Sequence, residues 1–186
     1  MNFIKKIENP KSSILHIKQL ILGSTLSLLS TLVLDPFNTM ANLVQVKSFD
    51  DHRAILKNVV ICLFVGKRIL TVTERTGKVG FIGGGIKAID KNIFSALKRE
   101  YREEIGYELP LLQKITRFVY KDTAIYVAHT TDFVSTKIGP NADDEITAIH
   151  LTKIKDIKMA LVGNGAFSIR QCARHSTSLL FDILKL

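Results

Sequence analysis

Residues 99–107 read Arg-Glu-Tyr-Arg-Glu-Glu-Ile-Gly-Tyr and follow a run of three glycines at residues 83–85. Side chains three and four positions apart are neighbours on a helix, so Glu100, Glu103 and Glu104 crowd onto one side of a helix predicted here. Three ionised carboxylates at that spacing repel one another unless a positive charge lies among them. Magnesium in proteins is usually held by one or two carboxylates together with waters and phosphates. The stretch therefore predicts a carboxylate site for a divalent cation.

The opposite side of this helix carries an apolar stripe with a four-residue repeat. The stripe consists of Ile93, Leu97, Tyr101 and Ile105. Asp90 or Asn92 can cap the N-terminus, and Gly106 favours the left-handed backbone that ends a helix. These signals predict a helix over residues 91–105, anchored in a core along one side and acidic along the other. A surface helix with solvated charges is the alternative interpretation.

The glycine run and the helix together resemble the sequence box of the Nudix hydrolases. That box reads Gly, five residues, Glu, seven residues, and then Arg-Glu-apolar-any-Glu-Glu-any-Gly-apolar. The positions in register are Gly85, Arg99, Glu100, Tyr101, Glu103, Glu104, Gly106 and Tyr107. The strand pattern extends the resemblance to residues 55–185. It implies an α/β fold of the Nudix type, an α/β/α sandwich with a mixed β-sheet.

One position departs from the pattern of the box. The isolated glutamate of the family is Lys91 here, directly after Asp90. In the family that glutamate mainly supports the box arginine, which is Arg99 in this chain. We expect Asp90 to take over this contact if the loop is shifted by one residue, and a less rigid loop if it does not.

The resemblance implies that the protein uses water to cleave a nucleoside diphosphate linked to another group. It implies Mg²⁺ or Mn²⁺ as the cofactor, with Glu100, Glu103 and Glu104 as ligands. The backbone at Gly84 and Gly85 would complete the site, because glycine lets the main chain come close to a ligand. Arg99 would orient the carboxylates and offset their repulsion.

The general base has two candidates by the same resemblance. Glu100 in the box is the first. Glu145, which follows Asp143 and Asp144, is the second, because the loop before a late strand often supplies an acid in this family. A solvated acidic loop is the alternative interpretation of this segment.

The substrate stays open at this stage. Nucleoside triphosphates, ADP-sugars, dinucleoside polyphosphates and capped RNA all carry the required linkage. A Nudix-type domain that senses a ligand or binds another protein, without catalysis, is the competing function, and Lys91 is the feature that favours it. A homodimer is a further possibility for partners.

Composition sets wider bounds. The chain has 186 residues, which is enough for one domain with a substantial core. Its formal net charge of +9 suits a polyanionic partner, yet the basic residues are scattered, so no nucleic-acid-binding stripe is evident. Cys62 lies in an apolar run and Cys172 lies far from it, so both are predicted to be reduced thiols.

Residues 1–40 differ from the rest of the chain. Two lysines precede an uncharged stretch rich in Leu, Ser and Thr between residues 20 and 34. Fifteen residues fall short of the roughly 20 that a membrane-spanning helix needs. We expect this extension to pack on a protein surface or to anchor the chain, with membrane contact through residues 14–34. A signal peptide and a functional start at Met40 are the alternatives, and a cytoplasmic location is the prediction for the domain at residues 41–186.

The remaining pattern predicts alternating strands and helices. Apolar runs at residues 58–65 and 68–73 form a hairpin around Gly66, and residues 79–82 form a short strand leading into the glycines. A second hairpin covers residues 112–120 and 123–130, and another strand covers residues 146–151. Helices are expected at residues 153–161 and 168–184. Such a mixture suggests a mixed sheet between helices.

Overall fold

The structure is a computed structural model that describes residues 43–170, 176–178, 180–182 and 184–185. All of these residues belong to one compact unit, Met40–Leu186. The predictions for residues 1–40 and for Cys172 therefore lie outside the described residues. No helix in the described part of the chain is long and apolar enough to cross a lipid bilayer.

The described chain alternates strands with a few helices. The strands are β1 (Val44–Val46), β2 (Asn58–Val65), β3 (Arg68–Glu74), β4 (Lys78–Gly80), β5 (Ile82–Gly85), β6 (Gln113–Tyr120), β7 (Thr123–Thr130), β8 (Ile146–Lys153) and β9 (Ser168–Ile169). The helices are α1 (Ile93–Ile105) and α2 (Ile154–Leu161), with a 3-10 turn at Asp50–His52. Residues 176–178 and 180–182 are also helical.

The strands form one mixed sheet in the order β1-β6-β7-β2-β3-β4-β9, with β5 paired to β2 and β8 paired to β3. Strands β2 and β7 run parallel over eight residue pairs, from Asn58↔Thr123 to Val65↔Thr130. Strands β4 and β9 are also parallel, whereas the other pairs are antiparallel. The sheet is therefore mixed, as predicted.

Strand β2 shows how the two faces of the sheet are covered. Successive side chains of a strand point to opposite faces. Ile61 and Leu63 belong to the core cluster that contains Leu97 and Tyr101 of α1. Cys62 and Phe64 belong to a second cluster, which contains Ile157 of α2 together with Leu180 and Phe181 of the C-terminal segment. Helices thus cover both faces, and the predicted α/β/α sandwich is confirmed.

Three elements differ from the prediction. The strand expected at residues 79–82 is two strands, β4 and β5, because the chain changes partner at Phe81 from β3 to β2. The helix expected from residue 168 begins instead with strand β9, which pairs with β4 at the sheet edge. Strand β1 lies inside the predicted domain, at a place where no strand was predicted, and pairs with β6. Each difference is a strand pairing between distant segments, which a local pattern does not encode.

Candidate active site

Helix α1 forms where its caps and apolar stripe predict. The Asn92 side chain accepts a hydrogen bond from the Ser95 amide (2.8 Å), and the Ser95 hydroxyl accepts one from the Asn92 amide (2.9 Å). This reciprocal capping box satisfies two of the free amides at the helix start. Gly106 ends the helix with φ +83°. Ile93, Leu97, Tyr101 and Ile105 are all buried, so the acidic side of α1 is held in a fixed orientation.

Strand β5 brings three glycines beside this helix. It pairs with β2 through Val60↔Gly83, Val59↔Gly84 and Asn58↔Gly85. Gly83 adopts φ +150°, and a Cβ there would overlap the backbone of Val59. A Cβ at Gly84 would overlap the carboxylate of Glu100. The glycines therefore allow a close approach of α1 to the sheet that other residues would block.

Arg99 connects the loop, the glycine strand and the acidic helix. Its guanidinium donates to both carboxylate oxygens of Asp90 (3.1 and 2.9 Å) and to the Gly85 carbonyl (2.7 Å). It also donates to Glu100 (2.5 Å) and Glu103 (2.9 Å). The hydrogen bond from Arg99 lowers the pKa of the Asp90 carboxyl, and its acceptors in turn raise the pKa of Arg99. One cation thus offsets three carboxylates.

Asp90 therefore makes the contact that the family pattern gives to a glutamate one residue later. Its carboxylate is buried and also accepts a hydrogen bond from the Lys87 amide (2.7 Å). Lys91, the departing residue, is exposed. The structure thus has the contact between Asp90 and Arg99 that the sequence predicts.

The three glutamates of α1 differ in their surroundings. Glu100 and Glu104 are buried, whereas the Glu103 side chain is 36 % exposed and also faces the Lys87 ammonium at 3.4 Å. Burial raises the pKa of Glu100 against the opposing effect of Arg99. Burial also raises the pKa of Glu104 to about 8, although Arg170 and the Gly83 amide, which donates at 3.2 Å, act in the other direction. Burial disfavours the ionised form of such a carboxyl, and a cation bound beside it would stabilise that form.

Arg170 is a site residue that the sequence pattern did not reveal. It follows β9, and its guanidinium forms ion pairs with Glu74 and with Glu104, the latter at 3.6 Å. Residue 170 lay inside a predicted helix, and it is far from the box in sequence. The strand pairing at the sheet edge is what carries it to Glu104.

The acidic loop after β7 is attached to the end of α1. The Asp143 amide donates to the Glu103 carbonyl (2.7 Å), and the Gly139 amide donates to the Ile105 carbonyl (2.8 Å). The Asp143 charge is among the influences that raise the pKa of Glu104. Asp144 pairs with Arg75 at 2.9 Å, and Glu145 lines a cavity of about 290 Å³ together with Glu74 and Arg75. Within this loop, the structure thus brings Asp143 toward the box, while Glu145 lies on the side of Glu74.

A larger cavity of about 470 Å³ opens beside the glycine strand. Gly83, Gly84 and Arg170 line it near the carboxylates. Its apolar walls include Val60, Phe81, Ile125 and Leu180, and its polar lining includes Asn58, Asp122 and Thr123. Clefts of roughly 300–1,000 Å³ with apolar walls and a few polar groups are typical of small-molecule sites. Tyr120 lines this cavity and also packs in the second core cluster, whereas Phe118 and Tyr126 belong to the core clusters without lining the cavity.

The donor chemistry fits a hard divalent cation. Carboxylate oxygens of α1 and the backbone of the glycine strand are the ligands that Mg²⁺ and Mn²⁺ prefer. In the described residues no three acidic, histidine or cysteine side chains are grouped so that they could hold a metal ion, so Glu100, Glu103 and Glu104 do not form a ready-made ligand set. Arg99 contacts Glu100 and Glu103, and Arg170 contacts Glu104. The disfavoured charge of buried Glu104 and the close approach at Gly84 are the observations that suit a cation here.

Comparison with known proteins assigns the family. The family model described as NUDIX domain matches residues 55–172. The chain therefore belongs to the Nudix hydrolase family. No curated protein matches the sequence.

Solved structures resemble this fold at low sequence identity. The DR0079 protein of Deinococcus radiodurans has a TM-score of 0.51 and 13 % identity, covering 65 % of this chain and 79 % of that one. A NUDIX hydrolase from Nitrosomonas europaea has a TM-score of 0.47 and 17 % identity, with 68 % and 89 % covered. The NUDIX domain of Shewanella oneidensis NrtR, solved with ADP ribose, has a TM-score of 0.48 and 13 % identity, with 69 % and 88 % covered. At sequence identities this low, the likeness between these structures and this chain concerns the fold alone.

Proposed function

We propose that this Nudix family member hydrolyses a pyrophosphate linkage in a nucleoside diphosphate joined to another group, with Mg²⁺ or Mn²⁺ as cofactor. The observation that supports this most is the pair of buried glutamates, Glu100 and Glu104, beside a 470 Å³ cavity lined by Gly83 and Gly84. Burying an ionised carboxylate is costly unless a partner charge compensates it, and a bound cation would be such a partner. The cavity would take the nucleoside, and the acidic side of α1 would face the phosphates.

Each residue has a role in this proposal. Glu100, Glu103 and Glu104 hold the divalent cation, with the backbone at Gly84 and Gly85 completing its surroundings. When bound, the cation neutralises the charge of the phosphates and makes water a better nucleophile. Arg99 keeps Glu100 and Glu103 oriented through its two hydrogen bonds to them.

The chemical step needs a base for the attacking water. Water attacks phosphorus, the P–O bond of the bridge breaks, and a carboxylate takes the proton of the water. Glu100 is the first candidate because it is buried and borders the glycine strand. Glu145 is the second candidate, and it lines the smaller cavity together with Glu74 and Arg75.

Lys91 gives no support to a non-catalytic domain, because Asp90 supplies the partner of Arg99. Capped RNA, a homodimer, membrane contact through residues 14–34 and a cytoplasmic location stay predictions from the sequence.

The test is product release from a substrate panel in the presence of Mg²⁺ or Mn²⁺. The panel contains nucleoside triphosphates, oxidised dGTP, ADP-ribose, dinucleoside polyphosphates, NADH and capped RNA. Wild type is compared with Glu104→Gln, Glu100→Gln and Glu145→Gln. Glu108→Gln is the matched control, because Glu108 is exposed and pairs only loosely with Arg102 at 3.7 Å.

We expect metal-dependent cleavage of one substrate class by wild type and Glu108→Gln. Glu104→Gln should lower the rate by roughly two orders of magnitude or more, in the range seen when one polar group that stabilises the transition state is removed. Its folding should change little, since glutamine keeps the shape. The larger rate loss between Glu100→Gln and Glu145→Gln identifies the base. Wild-type turnover by Glu104→Gln would exclude the site, and no cleavage by folded wild type would favour a ligand-sensing domain.

A further inference from the structure

Arg170 lies between the acidic helix and the large cavity. Its backbone amide donates to the Val79 carbonyl (2.9 Å), which continues the pairing of β9 with β4. Its side chain is 22 % exposed and lines the cavity together with Gly83 and Gly84. The guanidinium is therefore fixed at the border between the cavity and the carboxylates.

The neighbouring strand leaves space for this guanidinium. Gly80 of β4 lies beneath it, and a Cβ at that position would come within 3.1 Å of the Arg170 Nε atom. A larger residue at position 80 would push the side chain away from its present place. The glycine in β4 and the pairing of β9 thus position Arg170 together.

The ion pairs of Arg170 do not use all the N–H donors of its guanidinium. It contacts Glu74, and its Nη2 atom lies 3.6 Å from Glu104, longer than the roughly 2.7–2.9 Å of a charge-assisted hydrogen bond. The Nε atom faces the Glu74 carboxylate in this ion pair, so that donor is taken. A guanidinium has five N–H donors, four of them on its two Nη atoms. The Nη donors therefore remain for a ligand that enters beside Glu104.

We propose that Arg170 binds a phosphate group of the substrate. This inference rests on the proposed function. A diphosphate that links a nucleoside in the cavity to the acidic side of α1 must cross the border where Arg170 lies. The planar guanidinium matches phosphate oxygens with two parallel hydrogen bonds, which an ammonium does not. A divalent cation that takes over Glu104 would release Arg170 for this contact.

The first measurement is calorimetric binding of the α,β-methylene analogues of ADP and GDP with Mn²⁺. Their P–C–P bridge mimics the substrate linkage and resists hydrolysis. Arg170→Gln should weaken binding by about tenfold to a hundredfold, the range for losing hydrogen bonds to a charged group. Arg170→Lys should lie between Arg170→Gln and wild type. Arg68→Gln, which removes the same charge from an exposed site at the start of β3, should bind like wild type.

The second measurement is binding of Mn²⁺ alone, followed by electron paramagnetic resonance. We expect Arg170→Gln to bind Mn²⁺ as tightly as wild type or more tightly, because a competing cation has left Glu104. A parallel loss of Mn²⁺ affinity would mean that Arg170 only orients Glu104, and the proposal would be wrong. Unchanged analogue binding by Arg170→Gln would overturn it as well.

Two further outcomes separate this inference from the function on which it rests. Folded wild type that binds neither analogue in the presence of Mn²⁺, with folding checked by thermal unfolding, would count against the proposed function and this inference together. Analogue binding that is normal in wild type and in Arg170→Lys would count against Arg170 alone. If Arg170→Gln fails to fold, Arg170→Lys keeps the charge beside Glu74 and Glu104 and decides the question by itself.

Discussion

At the scale of residues, the contact between Asp90 and Arg99 organises the site. Arg99 uses Asp90 on one side and Glu100 and Glu103 on the other, so it holds the loop and the acidic helix together. The Asp90 side chain is almost fully buried. A buried pair of this kind is strongly destabilised when one partner is lost, because the other charge stays behind.

Replacing Asp90 by Asn should lower both stability and turnover. The amide keeps the shape of the carboxylate and loses its charge. We expect the free energy of unfolding to fall by about 1.5–3 kcal/mol, as for hydrogen bonds to charged groups. Turnover should fall too, because Arg99 is then less well held. Urea unfolding and steady-state rates measure the two effects.

Lys91→Glu tests the same contact from the position that departs from the family pattern. Alone, this substitution should change stability and turnover little, because Asp90 already accepts two hydrogen bonds from Arg99. Combined with Asp90→Asn it should restore part of both, since a carboxylate returns to the loop. If Lys91→Glu alone stabilised the wild-type protein strongly, the Asp90–Arg99 pair would not be formed in solution.

Glu104 should give the metal-free protein a pH-dependent stability. Its pKa is about 8 in the folded state against an ordinary value of 4.5, so the folded state binds more protons between these pH values. The free energy of unfolding should therefore decrease as pH rises from about 4.5 to about 8 and level off above that range.

Denaturant unfolding with EDTA at pH 5–9 measures this effect as a difference between variants. Glu104→Gln should show a flatter pH profile than wild type, because the amide does not titrate. The exposed control Glu108→Gln should keep the wild-type profile. If the free energy of unfolding changed with pH equally in wild type and Glu104→Gln, the pKa of the Glu104 carboxyl would not be raised in solution.

At the scale of elements, sequence signals specify both ends of α1 and its apolar side. Its capping box, its left-handed Gly106 and its apolar stripe all agree with one another. The loop from Gly139 to Asp143 adds backbone hydrogen bonds to its last turn, and Asn141 donates to the Gly106 carbonyl (3.2 Å). Agreement of local and long-range signals of this kind specifies an element uniquely.

Asn92→Ala should destabilise the protein by about 1 kcal/mol, the usual cost of losing an N-cap side chain. Asn92→Ser keeps a capping oxygen and should cost much less. Turnover at temperatures well below the unfolding transition should stay close to wild type, because Asn92 contacts none of the site carboxylates through the described hydrogen bonds. Thermal unfolding of the two variants is the measurement. Equal melting temperatures for Asn92→Ala and wild type would contradict the role of the cap.

At the scale of the whole molecule, the sheet separates two cores that meet different helices. The clusters of the described residues lie between Leu43 and Leu184. Strand β2 contributes alternate side chains to both, which links the site on the α1 side to the packing of the C-terminal segment on the other side. Central strands buried on both faces read as continuous apolar runs, as residues 58–65 do.

A protein that starts at Met40 should fold with a melting temperature close to that of the full chain, since both described cores lie beyond this residue. It should also keep metal-dependent activity. Fractionation of the two forms tests the predicted membrane contact through residues 14–34. Equal solubility of the full chain and the Met40 form would contradict that contact, and failure of the Met40 form to fold would show that residues 1–39 complete the domain.

The features that the sequence specified are the local ones. Helix α1, its cap residues, the two hairpins and the alternation along β2 depend on neighbours a few positions apart, so pattern and propensity predict them. The box glutamates and Arg99 share one helix, and a helical repeat brings them together without help from the rest of the fold. The contact of Asp90 with Arg99 was predicted in a different way, from the place of Asp90 directly before Lys91 in the box.

Tertiary structure alone placed Arg170 beside Glu104, buried Glu104 enough to raise its pKa, and built the cavity. These features join residues 58–60, 81–84 and 120–125 with Arg170, Ser176, Thr177 and Leu180, which lie far apart in the sequence and meet at the sheet. The pairing of β9 also replaced the start of the helix predicted at residue 168. Contacts at such sequence separations depend on which strands become neighbours, and that outcome is a property of the packed core as a whole.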